Sequence, residues 1–220
     1  MRCDLIDLGI VDYTFADGIQ ADVLNDVKNG GRDSTLIITE FFPVYTIGRN
    51  GSLDNLLVTP EFLKDSGISY FKTVRGGDIT FHGPGQLVVY PILNLAYFQK
   101  DINWFLRALE EVIIRLLLGY GIKAGRKTGL TGVWAGGGKI ASIGISVSKW
   151  VTSHGISLNA NNDLSFFDFI NPCGIKNCPV ASIAELNGSP VDMGGLKREF
   201  TEQFKIIFGV KECLYSGCRN

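Results

Sequence analysis

Residues 75–86 read R-G-G-D-I-T-F-H-G-P-G-Q, and this stretch constrains the fold more than any other. Four glycines and a proline in twelve residues disfavour regular structure, and glycine lets backbone pass close to another group. An arginine and a histidine stand among them, whereas a simple turn between two strands needs only a few residues. The stretch therefore predicts a long functional loop between strands at about 68–74 and 87–93, rather than an ordinary Gly-Pro turn.

The composition is that of an ordinary globular protein. Hydrophobic residues make up 45% and charged residues 20% of 220 residues, enough for one substantial core. The net charge of −1 and the absence of a basic block argue against nucleic acid as a partner. Neither a signal segment nor an apolar run long enough to span a bilayer is present in the sequence. We therefore expect a single cytoplasmic domain over residues 1–220, with no membrane partner.

Five cysteines, an odd number, are spread unevenly at Cys3, Cys173, Cys178, Cys213 and Cys218. Without a secretion signal, reduced thiols are expected rather than a disulfide framework. The cysteines of the pairs 173/178 and 213/218 are five residues apart, which is wider than the CxxC-like pairs usual in a four-cysteine zinc site. We therefore expect no metal, and we expect Cys3, Cys213 and Cys218 to be inert.

Hydrophobic periodicity predicts several strands interrupted by helices, without a regular βαβ rhythm. Strands are predicted at 2–8, 35–40 and 44–48, in a hairpin of 140–148 and 149–158, and at 210–215. Helices are predicted at about 13–28 after Asp12, after Thr59, from Asp101 to about 118, and at 164–170, 182–186 and 192–208. This pattern indicates an α+β fold, a single mixed-sheet domain.

Two residues stand in settings that suit covalent chemistry. Cys173 lies between Pro172, which has a fixed φ, and Gly174, which permits close approach; taken alone, such a cysteine is more often structural. Lys139 follows three glycines at the start of a predicted strand, although a lysine is usually a surface residue. An ammonium beside a thiol favours the thiolate and lowers the cysteine pKa from about 8.5. A desolvated lysine can also lose its proton and act as a base.

The loop motif closely resembles the signature of the octanoyl (lipoyl) transferases. The resemblance continues at G-G-K-I-A-S-I-G (137–144), T-S-H-G-I-S-L-N (152–159) and N-P-C-G-I (171–175), in the order of the family and over most of the chain. It implies the biotin/lipoate protein ligase-like fold, a mixed sheet with helices packed on it, which the hydrophobic pattern alone does not select.

The resemblance implies a two-step acyl transfer by a dyad of Cys173 and Lys139. Cys173 takes the octanoyl group from octanoyl-acyl carrier protein as a thioester. The lysine of a lipoyl domain, in 2-oxoacid dehydrogenase E2 subunits or the glycine cleavage H protein, then attacks while Lys139 accepts its proton. Neither ATP nor another cofactor is implied, and a monomer is expected.

The resemblance also implies a substrate site, in which backbone N–H groups of 75–82 and around Gly144 are candidate oxyanion donors. Arg75 either neutralises a phosphopantetheine phosphate or pins the loop through carboxylates. For His82 and His154, a hydrogen-bonded structural role is the alternative to a role in the site. Burial of roughly six methylenes would provide about 5 kcal/mol for selecting the acyl chain. The substrate-binding residues implied are Arg75, Gly76, Gly77, Asp78, Ile79, Thr80, Phe81, His82, Ser142, Ile143, Gly144, Gly155, Ile156 and Ser157.

The chain departs from the family pattern at two positions. Phe41 follows Glu40 where the family usually has histidine, and Ala181 stands where it usually has threonine, with Ser182 as the nearest hydroxyl.

Four other functions remain open from the sequence. An ATP-dependent lipoate or biotin ligase shares the glycine-rich loop and the lysine but needs no cysteine. An amidotransferase between lipoyl domains uses a cysteine with a different donor. A non-catalytic lipoyl-domain or carrier-protein binding module needs neither member of the dyad, and an unrelated cysteine hydrolase would pair a cysteine with His82 or His154.

Overall fold

The computed structural model describes residues 2–32, 34–171 and 178–215, and it is built from strands and helices mixed along the chain. The strands are β1 (Arg2–Val11), β2 (Thr35–Phe41), β3 (Val44–Ile47), β4 (Ser69–Lys72), β5 (Ile79–His82), β6 (Gln86–Ile92), β7 (Ala124–Gly125), β8 (Val133–Ala135), β9 (Gly138–Ser148), β10 (Val151–Asn159) and β11 (Glu212–Tyr215). The helices are α1 (Tyr13–Lys28), α2 (Pro60–Asp65), α3 (Ile102–Gly119), α4 (Ile183–Asn187) and α5 (Met193–Phe208).

Eight of these strands form one mixed sheet, in the order β11-β1-β2-β6-β10-β9-β8-β7. Strand β1 runs parallel to both β11 and β2, and every other pairing in this sheet is antiparallel. The predicted α+β class with a mixed sheet is confirmed.

Helices cover both faces of the large sheet. On one face, α3 and α5 bury Phe105, Leu109, Ile113 and Phe204 in the largest core cluster. On the other face, α1 packs against β2 and β6 through residues such as Val23. These α3 residues recur every four positions, as expected for one face of the helix predicted from Asp101 to about 118. The carboxylate of Asp101 accepts hydrogen bonds from two backbone N–H groups of the first turn, as expected of an N-cap.

A second sheet, in the order β4-β3-β5, corrects the prediction of one continuous loop at 75–86. Ile79–His82 is a strand that pairs antiparallel with β3, with His82 opposite Val44, and Gln86 already belongs to β6. Pairing with a segment much earlier in the chain supplies the hydrogen bonds that local composition does not reveal. Irregular backbone remains only at 75–78 and 83–85.

Local differences at other element ends have identifiable causes. Lys149 and Trp150, predicted to open a strand, form the two-residue turn between β9 and β10 with φ values of 52° and 64°. Two consecutive left-handed residues are what a type I′ hairpin turn requires. The predicted helix at 164–170 is a 3-10 helix at Ser165–Phe169, and Asp12 precedes α1 without a side-chain capping bond.

Cys3 and Cys213 are free thiols in the described ranges, whereas Cys173 and Cys218 lie outside those ranges. Cys3 stands opposite Cys213 across β1 and β11, where the thiol–thiol hydrogen bond and burial raise the pKa of Cys3. Over the same ranges, no helix is long and apolar enough to cross a membrane. No group of three or more His, Cys, Asp or Glu side chains in the described residues could hold a metal ion.

Candidate active site

A cavity of about 310 Å³ lies between the large sheet and the glycine-rich segment that joins β4 to β5. It brings together residues that are far apart in sequence. Of the predicted site residues that the structure describes, those lining it are Arg75, Gly76, Gly77, Asp78, Ile79, Thr80, His82, Lys139, Ser142, Ile143, Gly144, Gly155, Ile156 and Ser157.

Strands β9 and β10 form one wall, with Ser157 opposite Ser142 and Gly155 opposite Gly144. The 75–78 segment crosses this wall, because Gly76 N–H donates to the carbonyl of Ile145 at 2.8 Å. A Cβ on Gly144 would lie 2.7 Å from the Gly76 carbonyl oxygen. Glycine at 144 therefore permits the close approach on which this part of the cavity depends.

Arg75 fastens the segment from within. Its guanidinium donates to the carbonyl of Thr46 at 2.6 Å, to the carbonyl of Asp78 at 2.8 Å and to that of Gly76 at 3.1 Å. It also donates to the Thr46 hydroxyl. Of the two predicted roles, these contacts match pinning of the loop, and the acceptors in them are carbonyl and hydroxyl oxygens.

Two of the candidate oxyanion donors are already used. Gly76 N–H bonds Ile145, and Ile79 N–H donates to Asp78 Oδ1 at 2.7 Å. Asp78 Oδ2 accepts from the Asn55 amide at 2.6 Å. The Asp78 carboxylate therefore links Asn55 to the start of β5 and holds this part of the cavity wall in place.

His82 is buried with both ring nitrogens bonded. Gln86 donates through Nε2 to the carbonyl of Phe81, so its Oε1 accepts from His82 Nδ1 at 2.7 Å. His82 Nε2 is then the acceptor for the Thr46 hydroxyl at 3.1 Å. Burial is the main cause that lowers the His82 pKa to about 3. These contacts match the structural alternative for His82.

His154 is held by Gln20 of α1, a contact that the sequence did not reveal. The Gln20 Oε1 accepts the backbone N–H of His154 at 2.6 Å, and its Nε2 lies 3.4 Å from His154 Nδ1. The residue has φ of +55°, which is uncommon outside glycine. Burial, and secondarily the charge of Arg75, lower the His154 pKa to about 4.

These two low pKa values predict a loss of stability in mild acid. In the unfolded chain both histidines become protonated as the pH falls below about 6.5. In the folded chain His154 becomes protonated only near pH 4 and His82 only near pH 3. Stability is therefore complete above pH 6.5 and falls with pH, by about 2.5 kcal/mol per histidine at pH 4.5. We expect urea midpoints to drop between pH 7.5 and 4.5, and His154→Asn to remove about half of this dependence. A flat profile for the wild-type protein would contradict it.

Lys139 is buried near the start of β9. Its backbone N–H donates to the carbonyl of Pro179 at 2.8 Å, and its own carbonyl accepts from Ala181 N–H. Its Nζ lies 5.5 Å from the ring centroid of Trp134, directly across from it in β8. A Cβ on Gly132 would lie 2.8 Å from Lys139 Cε, so the lysine side chain packs on bare backbone.

Glu110 of α3 anchors this end of the cavity and was not identified from the sequence. Its fully buried carboxylate accepts from Arg107 at 2.6 Å, from Arg126 at 2.9 Å and from Gly132 N–H at 3.1 Å. The 126–132 segment so held lines the cavity at Gly129–Thr131. A charged residue inside an apolar helical stripe was the available signal. The other lining residues that sequence reasoning missed include Tyr13, Tyr90, Leu106 and Trp134.

The predicted nucleophile Cys173 lies outside the described residues. On its C-terminal side the described chain resumes at Cys178, which lines the cavity together with Lys139. Pro179 and Ala181 then pair with the backbone of Lys139. The chain that follows the N-P-C-G-I motif thus runs alongside the lysine.

The structure shows where one predicted site residue, Phe81, and the two departures from the family pattern, Phe41 and Ala181, are placed. Phe81 does not line the cavity, because its ring stacks on Phe166 at 4.6 Å in a separate core cluster. The ring of Phe41, in place of the usual histidine, is fully buried and lies 5.7 Å from His82. Ala181 is buried and offers backbone bonds rather than a hydroxyl.

A family model and curated relatives both show that this chain is similar to octanoyltransferases and lipoyl ligases. The family model for the lipoyl protein ligase A/B catalytic domain matches residues 12–205. The chain is 46% identical over 207 residues to an octanoyltransferase from Thermoanaerobacter sp. (strain X514), covering 94% of this chain and 90% of that protein.

Solved structures show the fold. A protein of T. acidophilum, described as a lipoate protein ligase with bound lipoic acid, superimposes with a TM-score of 0.77 at 15% identity, covering 100% of this chain and 91% of that one. The biotin protein ligase of Aquifex aeolicus gives a TM-score of 0.55 at 15% identity, covering 94% and 69% respectively. The predicted biotin/lipoate protein ligase-like fold is confirmed.

Proposed function

Since the chain belongs to the octanoyltransferase family of acyltransferases, we propose that it transfers octanoyl groups from acyl carrier protein to lysines of lipoyl domains. The observation that carries the proposal is the cavity, which brings residues of the loop motif, of 137–144 and of 152–159 together with Lys139. The β10 part of its sheet wall is buried, which suits an apolar acyl chain. We further propose that the chain is a single cytoplasmic domain that acts as a monomer.

The reaction divides into two acyl transfers. The Cys173 thiolate attacks the thioester carbonyl, the carbon–sulfur bond to the carrier breaks, and the carrier leaves as a thiol after taking up a proton. The amine of the target lysine then attacks the acyl-enzyme, gives a proton to Lys139 and forms an amide, releasing Cys173. Thioester exchange is nearly isoenergetic and amide formation is downhill, so ATP is not needed.

A lipoate ligase of the same fold is the main alternative. The solved lipoate and biotin ligases are only about 15% identical to this chain and speak for the fold alone. The relatives at about 46% identity are octanoyltransferases. An acyl-adenylate mechanism would also leave the N-P-C-G-I motif without a chemical role.

A transfer assay without nucleotide tests the proposal. We expect the protein to add one octanoyl mass to an apo lipoyl domain from octanoyl-carrier protein, in chelated, ATP-free buffer. Free octanoate with ATP and magnesium should be a poor substitute. Equal transfer from free acid and ATP would identify a ligase instead. A requirement for an octanoylated lipoyl domain as donor would identify an amidotransferase.

A further inference from the structure

Two residues that are largely buried each present to the cavity a polar atom with no hydrogen-bond partner among the described residues. Tyr90 and His154 both line the cavity and are only 5% and 4% exposed. Neither the Tyr90 hydroxyl nor His154 Nε2 is bonded within the described ranges. Their polar neighbours differ, because His82 is bonded at both nitrogens and the Tyr13 hydroxyl donates to Asp17 at 3.4 Å.

The orientation of His154 follows from its contacts. A backbone N–H can only donate, so Gln20 must present Oε1 to it and its NH₂ group to His154 Nδ1. Nδ1 of the neutral ring is then the acceptor, and the proton resides on Nε2. The ring meets that of Tyr90 edge to face at 5.7 Å. An N–H donor and a hydroxyl therefore stand side by side.

The strand register of β9 gives the distance from Lys139 to the pair of Tyr90 and His154. The tip of Lys139 lies near Ala141, since a Cβ on Gly132 would be 3.5 Å from Lys139 Nζ and 2.7 Å from the Ala141 carbonyl oxygen. His154 is opposite Ile145, four residues further, or about 13 Å along the strand. The seven carbon–carbon bonds of an octanoyl group span about 9 Å when fully extended, because the tetrahedral zigzag shortens each bond's advance to about 1.3 Å. A chain that starts near Lys139 thus ends just before the pair.

We infer that Tyr90 and His154 form a polar end wall that selects an eight-carbon acyl chain by holding one hydroxyl or water just beyond the eighth carbon. The inference rests on the proposed function for the direction in which the chain lies. It adds two specificity-determining residues to that function.

The selection has a clear physical basis. A water at this position can accept from His154 Nε2 and bond the Tyr90 hydroxyl, and a bridging water is nearly as favourable as a direct bond. A ninth methylene or methyl group would displace it and leave two buried polar groups unpaired. An unpaired buried group carries a penalty large enough to change affinity about tenfold or more.

A matched pair of acids tests the wall without requiring catalysis. Nonanoate and 8-hydroxyoctanoate differ only in a methyl or a hydroxyl at the ninth position. By calorimetry we expect the wild-type protein to bind 8-hydroxyoctanoate about tenfold more tightly than nonanoate. Tyr90→Phe should reduce this ratio severalfold. Tyr45→Phe, which removes a buried hydroxyl from a different core cluster, should leave the ratio unchanged.

A second variant and a transfer readout complete the test. Asparagine tolerates left-handed φ, so His154→Asn keeps the backbone and shortens the side chain. It should raise decanoyl relative to octanoyl transfer about tenfold, because the wall is removed. Equal wild-type binding of the two acids, or ratios unaltered in both variants, would overturn the inference. Failure of the proposed function would appear differently, as no wild-type transfer from octanoyl-carrier protein at all.

Discussion

Replacing Cys173 with serine is expected to lower octanoyl transfer at least about a thousandfold, because a serine hydroxyl is a far weaker nucleophile than a thiolate at neutral pH. The wild-type protein, mixed with octanoyl-carrier protein in the absence of acceptor, should gain one octanoyl mass. Peptide mapping should locate this mass on Cys173, and Cys173→Ser should form no thioester adduct. Intact-mass spectrometry and single-turnover transfer measure both parts.

Cys178 is the rival nucleophile, because it is the cysteine in the described part of the chain that lines the cavity. Cys178→Ser should still form the adduct on Cys173. Cys213→Ser, on the remote strand β11, is the matched control and should transfer at the wild-type rate. An adduct mapped to Cys178, or normal transfer by Cys173→Ser, would contradict the assignment.

Replacing Lys139 with methionine or arginine is expected to slow amide formation by about 10² to 10⁴-fold, the usual contribution of a general base. Arginine keeps the charge but cannot be deprotonated in the working range, so it should fail as a base. The two variants should differ at Cys173, where methionine raises the alkylation pKa towards that of a free thiol and arginine does not. Iodoacetamide alkylation against pH, beside transfer from the preformed acyl-enzyme, separates the two roles.

Lys127 provides a matched control for Lys139. Its Nζ also lies 5.5 Å from the ring centroid of Trp134, but the residue is exposed. Lys127→Met should therefore transfer at close to the wild-type rate. If Lys139→Arg transfers normally, Lys139 is only an electrostatic partner and another group is the base. If both Lys139 variants keep the wild-type thiol pKa and rate, the dyad is wrong for this chain.

Elements whose stability is local were predicted closely. The spacing of Phe105, Leu109 and Ile113 identified α3, and Asp101 and Thr59 were recognised as caps that the structure shows in use. The β9–β10 hairpin was also anticipated, because adjacent strands pair through a short turn. In each case the residues that decide the structure lie within a few positions of one another.

Several features that depend on distant partners were not predicted. Ile79–His82 looks like part of a glycine-rich loop, and it becomes a strand only because β3 is beside it. The sequence pattern of α1 gave Gln20 no role, although Gln20 fixes His154 across 134 positions of chain. The role of Glu110 likewise depends on its hydrogen bonds with Arg126 and Gly132, which are distant in sequence.

The sequence by itself determined the class of the fold, its helices and most of its strands, and, through four motifs, the family and the residues to test. The tertiary structure alone decided that three of those motifs share one cavity, that Arg75 and His82 are hydrogen-bonded into its walls, and that Tyr90 and His154 line it. The physical reason is that periodicity and caps act within one element. Hydrogen-bond satisfaction and burial, in contrast, depend on which elements come together, and no local pattern carries that information.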